Sequence, residues 1–331
     1  MLTIRVPRGP LGSPRAPRGS VRVAGLALTG LAVLGGTAAC GGSGTSGGGG
    51  GRSEIVASFY PMAWVAGKVA GPDGSVRTLT KPGIEPHDLE LTPRQVADIG
   101  KADFAVYVRG VQPAVDDAVA EHAKDKSLDA ATVVKTLPPP TGEEEEHGHG
   151  EEGHADEEPT FDPHIWLDPS RLATVATALG DRLAAADPPH AAGYRSRAAA
   201  TAAELNRLDE EFRTGLASCT QKTIVTAHAA FGYLADRYGL RQVSIAGVDP
   251  AAEPSPRRLA ELTHQVKAAK ATTIFTETLV SPRVAEALAR SAGVRTAVLD
   301  PVEGVAPGSS ADYLSIMRKN LATLKPALGC S

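Results

Sequence analysis

Three histidines stand out for the company they keep. His87 lies in Gly83-Ile-Glu-Pro-His-Asp-Leu-Glu-Leu-Thr-Pro93, His164 in Phe161-Asp-Pro-His-Ile-Trp-Leu-Asp-Pro169, and His228 in Thr223-Ile-Val-Thr-Ala-His-Ala-Ala-Phe-Gly-Tyr233. Each follows a strand-like run or a loop and precedes a helix or turn. One histidine beside an apolar strand is ordinarily a satisfied core residue. Three in the same setting, drawn from both halves of the chain, point to a shared site. Neutral imidazole is the commonest metal ligand, and zinc needs several such donors converging at about 2.0–2.1 Å. An oxygen donor should complete the set. Asp300, in Val298-Leu-Asp-Pro301, is the expected fourth ligand, although it also reads as a cap for the turn before Pro301. Glu277, closing Thr272-Thr-Ile-Phe-Thr-Glu277, is the competitor, or else the hydrogen-bond partner of a ligand imidazole. Three neutral imidazoles and one carboxylate would leave zinc with one net positive charge, suited to firm but reversible binding.

Such residues need strand ends to carry them. Runs rich in Val, Ile and Thr at 54–59, 75–80, 104–108, 223–227, 242–246, 272–276 and 296–299 read as strands. They are unbroken rather than alternating, as expected where both faces are buried. Helical stretches at 61–70, 92–99, 113–121, 256–270 and 282–291 separate them. Several open on proline after a capping residue, as in Thr92-Pro93, Ser255-Pro256 and Ser281-Pro282. Strands separated by helices of this length indicate a parallel α/β architecture. Between the two α/β sets, residues 170–216 carry only helical signals, broken at Asp187-Pro188-Pro189. The expected organisation is therefore an N-terminal lobe over 53–187, a long rigid helix over 188–217 and a C-terminal lobe over 218–331. The metal site would lie in the cleft between two similar lobes, at strand ends.

The chain of 331 residues has a formal net charge of −4, which averages over unlike segments. Residues 1–39 hold five arginines and no acid, residues 143–158 hold nine acids and no Lys or Arg, and the rest is neutral. A neutral body excludes the basic surface that nucleic-acid binding requires. In the leader, the apolar run from Val23 to Leu34 is shorter than the roughly 20 residues a bilayer span needs, and reads as a secretory signal over 1–39. It ends in Thr37-Ala38-Ala39-Cys40, small residues before a cysteine, as in a bacterial lipobox with Thr where Leu is usual. Cys40 is thus the expected lipidation site, with an ordinary cleavage after an Ala-x-Ala-like sequence as the alternative. The Gly/Ser-rich segment 41–51 would then be a flexible tether of on the order of 18 Å. Two cysteines remain, Cys219 and Cys330, and in an exported chain an isolated pair is expected to form a disulfide. The acidic insert at 141–158 follows three prolines, has no apolar residue larger than Ala, and carries His147, His149 and His154. It is expected to be disordered. It reads either as a solvated loop or as a low-affinity metal collector.

Taken together, Gly-x-x-Pro-His-x-x-x-x-x-Pro, Asp-Pro-His-x-Trp-Leu-Asp-Pro and Ala-His-x-Ala-Phe-x-Tyr resemble the metal-binding solute-binding proteins of bacterial ABC importers. Glu253-Pro-Ser-Pro-Arg-x-Leu-Ala-Glu-Leu262 and Phe275-Thr-Glu277 are similar to that family as well, and the resemblance covers nearly everything from residue 53 onward. It implies two lobes on a rigid helix with the metal buried between them. It also implies a lipoprotein on the outer face of the cell membrane, handing its ion to a permease with an ATPase on the far side. A third site histidine is typical of the zinc members, where manganese members often carry Glu, so His228 implies zinc. A His- and acid-rich loop before the second ligand, as at 141–158, is also common among zinc members. One departure matters. Some zinc members place an acid immediately before the first ligand; here Pro86 stands there and Glu85 lies one position earlier. The fourth position is thus open to Asp300, Glu85 or water.

The expected function is that of a monomeric zinc receptor, not an enzyme. Two other readings use the same residues. One is a manganese or iron receptor, or an adhesin, of the same fold. The other is a secreted zinc hydrolase, against which stands the lack of a His-Glu-x-x-His pair, a Gly-x-Ser-x-Gly elbow or a placed general base. His122, His190 and His264 lie on charged helical stretches and read as surface residues. Trp64 and Trp166 read as packing residues, with Trp166 also placed to shield His164.

Overall fold

A computed structural model describes residues 51–140, 160–252 and 254–331. The leader with Cys40, and the insert histidines His147, His149 and His154, lie outside the described residues. In chain order the elements are β1 (Ser53–Ala57), α1 (Tyr60–Ala70), β2 (Gly74–Thr78), α2 (Pro93–Lys101), β3 (Phe104–Tyr107), α3 (Pro113–His122) and β4 (Ser127–Asp129), then α4 (Pro169–Ala186) and α5 (Ala191–Leu216). There follow β5 (Thr223–Thr226), α6 (Gly232–Tyr238), β6 (Arg241–Ser244), α7 (Pro256–Ala268), β7 (Thr273–Thr276), α8 (Arg283–Ala292), β8 (Arg295–Val298) and α9 (Tyr313–Leu328). The strands form two four-stranded parallel sheets, ordered β2-β1-β3-β4 and β6-β5-β7-β8. The α/β reading with two like sheets and a long helix between them is thus correct. β4 went unread because three residues, Ser-Leu-Asp, leave no periodicity to detect.

The unbroken apolar strands have a direct explanation. In β1, Ile55 and Ala57 face the main core while Val56 faces a satellite cluster behind the sheet. The same alternation places Phe104 and Val106 inward and Ala105 outward on β3, and on β7 Phe275 inward and Ile274 outward. Both faces of these central strands are packed, so consecutive positions such as 55–57, 104–106 and 273–276 are buried and the period of two disappears from the sequence. The main core is continuous across both sheets. It runs from Phe59 and Trp166 through Phe212 to Tyr313 and Leu328.

α5 is 26 residues long, about 39 Å at 1.5 Å per residue. Its buried stripe, Tyr194, Ala198, Thr201, Leu205, Leu208, Phe212 and Leu216, steps by three and four residues along one face. Polar anchors hold it at both ends. Near its start, the Arg197 guanidinium donates to Val69 O, Ala70 O and Asp73 Oδ2. Towards its end, Asp209 accepts from Arg237, and Glu211 accepts from Arg318 on α9. Where α4 and α5 cross, a Cβ on Gly180 would lie 2.4 Å from the Ala198 Cβ, so glycine is what allows that approach. Cys219 and Cys330 are disulfide-bonded. The bond fastens the chain leaving α5 to the end of α9, beside the Gln221 N–H that donates to Leu328 O.

One buried acid in this frame carries a measurable cost. Asp116 accepts from Gly110 N at 2.8 Å through Oδ2, while its Oδ1 is buried without a partner. Burial pushes the carboxyl up to about 7, against the opposing Gly110 bond. An acid whose pKa is raised by folding holds more protons folded than unfolded, so its contribution falls as pH climbs from the ordinary carboxyl range through about 7. Asp116→Asn keeps an acceptor for Gly110. The difference in melting temperature, variant minus wild type, should be more positive at about pH 8 than at about pH 4. Thermal unfolding of both proteins across that range checks the sign.

Candidate metal centre

Each of the three histidines stands just beyond the carboxyl end of a strand or its following loop. His87 sits in the turn between β2 and α2, His164 in the segment leading to α4, and His228 two residues after β5. The fourth group there is Glu303, in the loop after β8. Donor atoms of His87, His164, His228 and Glu303 all lie within 4.8 Å of one another. From Glu303 Oε1 the Nε2 atoms of His87, His164 and His228 are 3.7, 3.6 and 3.3 Å away. A tetrahedron with ligands about 2.05 Å from its centre has edges of about 3.3 Å, so the three distances to Glu303 are close to those of a four-coordinate site. None of the three Nε2 atoms, nor either Glu303 oxygen, makes a hydrogen bond, although all are buried. Buried polar atoms are nearly always paired. Five orphans facing one point call for a cation.

What aims the imidazoles is a set of groups behind them. Asp162 Oδ1 accepts from the His164 backbone N–H at 3.0 Å and from its Nδ1 at 2.8 Å. Glu277 does the same for His228, with 3.0 Å to the backbone N–H and 2.7 Å to Nδ1. Each carboxylate fixes the proton on Nδ1 and turns the Nε2 lone pair inward. The consequences differ. Burial draws His164 below the ordinary histidine range, with Asp162 opposing it. Burial also draws His228 down, but Glu277 and then Glu303 outweigh it and hold the imidazole well above that range. Glu303 is raised by burial and lowered more strongly by His228 and His87, which leaves it far below the usual carboxylate range. The two carboxylates thus favour a proton on His228, which would oppose a divalent cation at the same nitrogen.

Asp300, the expected fourth ligand, lies outside the four converging groups. Its Oδ1 accepts from Val302 N at 2.8 Å and its Oδ2 accepts from the Thr278 hydroxyl at 3.3 Å. It caps a tight turn, as the alternative reading allowed. Asn320 secures that turn, accepting from Asp300 N and donating to Asp300 O. Within it Val302 adopts φ 60° while fully buried. A β-branched residue in the left-handed region is strained. That reversal is what swings the next side chain, Glu303, into the cleft. Glu277 falls on His228 Nδ1 rather than among the four converging groups. Glu85 is outside them as well: Oε1 accepts from His87 N at 3.2 Å, and the residue lines a cavity of about 280 Å³ with Asp88 and Leu279. Burial, then the Glu303 charge, push its carboxyl up to about 7.

Trp166 packs edge-on against Phe59 and lies 5.1 Å from the His164 ring. Its indole N–H also donates to Pro301 O at 2.8 Å, so it ties the His164 segment to the loop that carries Glu303. Trp64 stacks obliquely on Tyr313. His122 and His264 are exposed, and His190 is half-buried against Asp187 at 2.7 Å. Glu303 was overlooked for an identifiable reason. Its only sequence signal is a second acid three positions after Asp300, and reaching the site requires a valine conformation that sequence patterns disfavour.

Residues 55–327 match the family described as "ZnuA: Zinc-uptake complex component A periplasmic". The chain is 40% identical over 282 residues to the zinc-binding lipoprotein AdcA of Streptococcus pneumoniae, covering 83% of this chain and 56% of that one. It thus spans about half the length of that relative. Among solved structures, the Zn(II)-bound ZnuA-like domain of S. pneumoniae AdcA aligns with a TM-score of 0.70 at 36% identity, over 84% of this chain and 99% of that one. The laminin-binding protein Lmb of Streptococcus agalactiae, described as bifunctional with adhesin and metal transporting activity, aligns with a TM-score of 0.72 at 32% identity, over 83% and 99%.

Glu277→Gln should separate the two roles of the group behind His228. Zinc affinity at neutral pH should fall by roughly 10- to 100-fold. Losing the charge also lowers the His228 pKa, so the pH below which zinc is lost should move down. Zinc titration against pH for both proteins reads both shifts.

Proposed function

Because the chain belongs to the ZnuA family of zinc-uptake components, we propose that it is the extracytoplasmic receptor of a zinc ABC importer. His87, His164, His228 and Glu303 capture Zn2+ and the protein delivers it to a membrane permease coupled to an ATPase. The observation that carries this reading is the convergence of four groups whose donor atoms are buried and unpartnered, with Glu303 Oε1 3.3–3.7 Å from the three imidazole nitrogens. Three nitrogens and one carboxylate suit zinc. Manganese favours oxygen-rich, six-coordinate surroundings. Four protein donors also complete the coordination sphere, whereas a catalytic zinc keeps one position for water. That favours holding the ion over hydrolysis.

The remaining parts follow the same logic. No helix among the described residues is long and apolar enough to cross a membrane. Lipid on Cys40, with the glycine-rich segment as tether, keeps the monomeric receptor at the outer face of the membrane. The insert histidines His147, His149 and His154 gather metal next to the segment that bears His164.

Purified chain stripped of metal should bind one zinc per molecule with sub-micromolar affinity, and should do so after deletion of residues 141–158. Alanine at His228 or Glu303 should weaken binding by at least about 100-fold, the magnitude expected when one of four zinc ligands is lost. Calorimetric titration checks both. Retention of wild-type affinity in either variant would sink the proposed ligand set.

A further inference from the structure

His164 and His228 each have a carboxylate behind them, and among the described residues no carboxylate sits on the Nδ1 of His87. Something else must aim that ring. The peptide unit that enters His87 consists of the Pro86 carbonyl and the His87 N–H. Glu85 Oε1 accepts from the N–H, and the carbonyl accepts both from Leu89 N at 3.2 Å, within the turn itself, and from Gln112 Nε2 at 3.1 Å, the bond that reaches it from another element. Gln112 is 1% exposed and belongs to the turn before α3. It occupies the N-cap position of that helix, yet its side chain makes no capping bond there. Instead it reaches across to the His87 loop and to Thr80, whose hydroxyl accepts from the same Nε2 at 2.9 Å and donates to Ser58 O at 3.0 Å.

The orientation of the amide follows from these partners. The Thr80 proton is committed to Ser58 O, and the Pro86 carbonyl can only accept, so the group facing both must be the NH2. Gln112 Oε1 is left buried without a partner. An amide is costly to bury in this way. Ser58 stands immediately past the carboxyl end of β1, and Thr80 two residues past that of β2. The chain of bonds from Ser58 through Thr80 and Gln112 to Pro86 therefore anchors the His87 turn to the first sheet.

We propose that Gln112 is the positioning residue for His87, setting the peptide plane that points this imidazole at the metal. The inference rests on the zinc-receptor reading. It predicts that Gln112→Met, similar in length and unable to donate, loses about 10- to 100-fold in zinc affinity. Cobalt(II) bound in place of zinc should show an altered visible spectrum, because one ligand is misaligned. In a His87→Ala background the same change should cost nothing more, since Gln112 acts only through His87. Thr80→Val, which removes the acceptor that orients the amide, should reproduce a smaller loss and carries the test if Gln112→Met does not fold. Wild-type zinc affinity and an unchanged cobalt spectrum in both variants would overturn the proposal, whatever happens to the melting temperature. So would an equal loss in the His87→Ala background. A wild-type chain that binds no zinc would instead overturn the receptor reading itself.

Discussion

Four metal-binding groups face one another in a space closed to water, and each would rather be solvated. A buried carboxylate and three buried lone pairs gain nothing from one another unless a positive charge sits between them. The architecture answers that constraint from behind the site. Asp162 and Glu277 hold two of the rings by their far nitrogens, and the His87 turn is held through its backbone. A proton on His228, stabilised between Glu277 and Glu303, offsets part of the negative charge when no cation does. On the proposed zinc reading, the dication would have to displace that proton, and pH would enter the affinity through His228.

The same carboxylates change the electrostatic account of the site. With only the four donors, zinc would retain one net positive charge. Counting Asp162 and Glu277, the loaded site carries one net negative charge within a few bonds of the metal. Such charge makes the imidazoles better donors and holds the dication more firmly than the ligand set alone implies.

Rigidity elsewhere makes this arrangement possible. α5 is packed along one face and fastened by Arg197 at one end and by Asp209 and Glu211 at the other, so both sheets refer to one axis. Trp166 links the segment of His164 to the carbonyl of Pro301, two residues before Glu303. The strain at Val302 is tolerated because Asp300 and Asn320 lock the turn on either side.

Much of this could be read from residue order alone. Histidines after strand-like runs, proline-opened helices and the buried stripe of α5 are local signals, and local chemistry produces them. The paired cysteines and the parallel α/β class were legible for the same reason. The fourth ligand was not. Asp300 and Glu303 are both acids beyond the same strand, and a sequence offers no way to rank them. In the tertiary structure Asn320, from α9, grips the Asp300 backbone while Asp300 itself caps the turn, and it is Glu303, beyond the left-handed Val302, that stands among the three histidines. Gln112 and Asp162 were invisible for a related reason: their role depends on which atom they face, and that is set by packing between distant elements. Residue types determined which chemistry was available, and the long-range packing of turns determined which atoms would perform it.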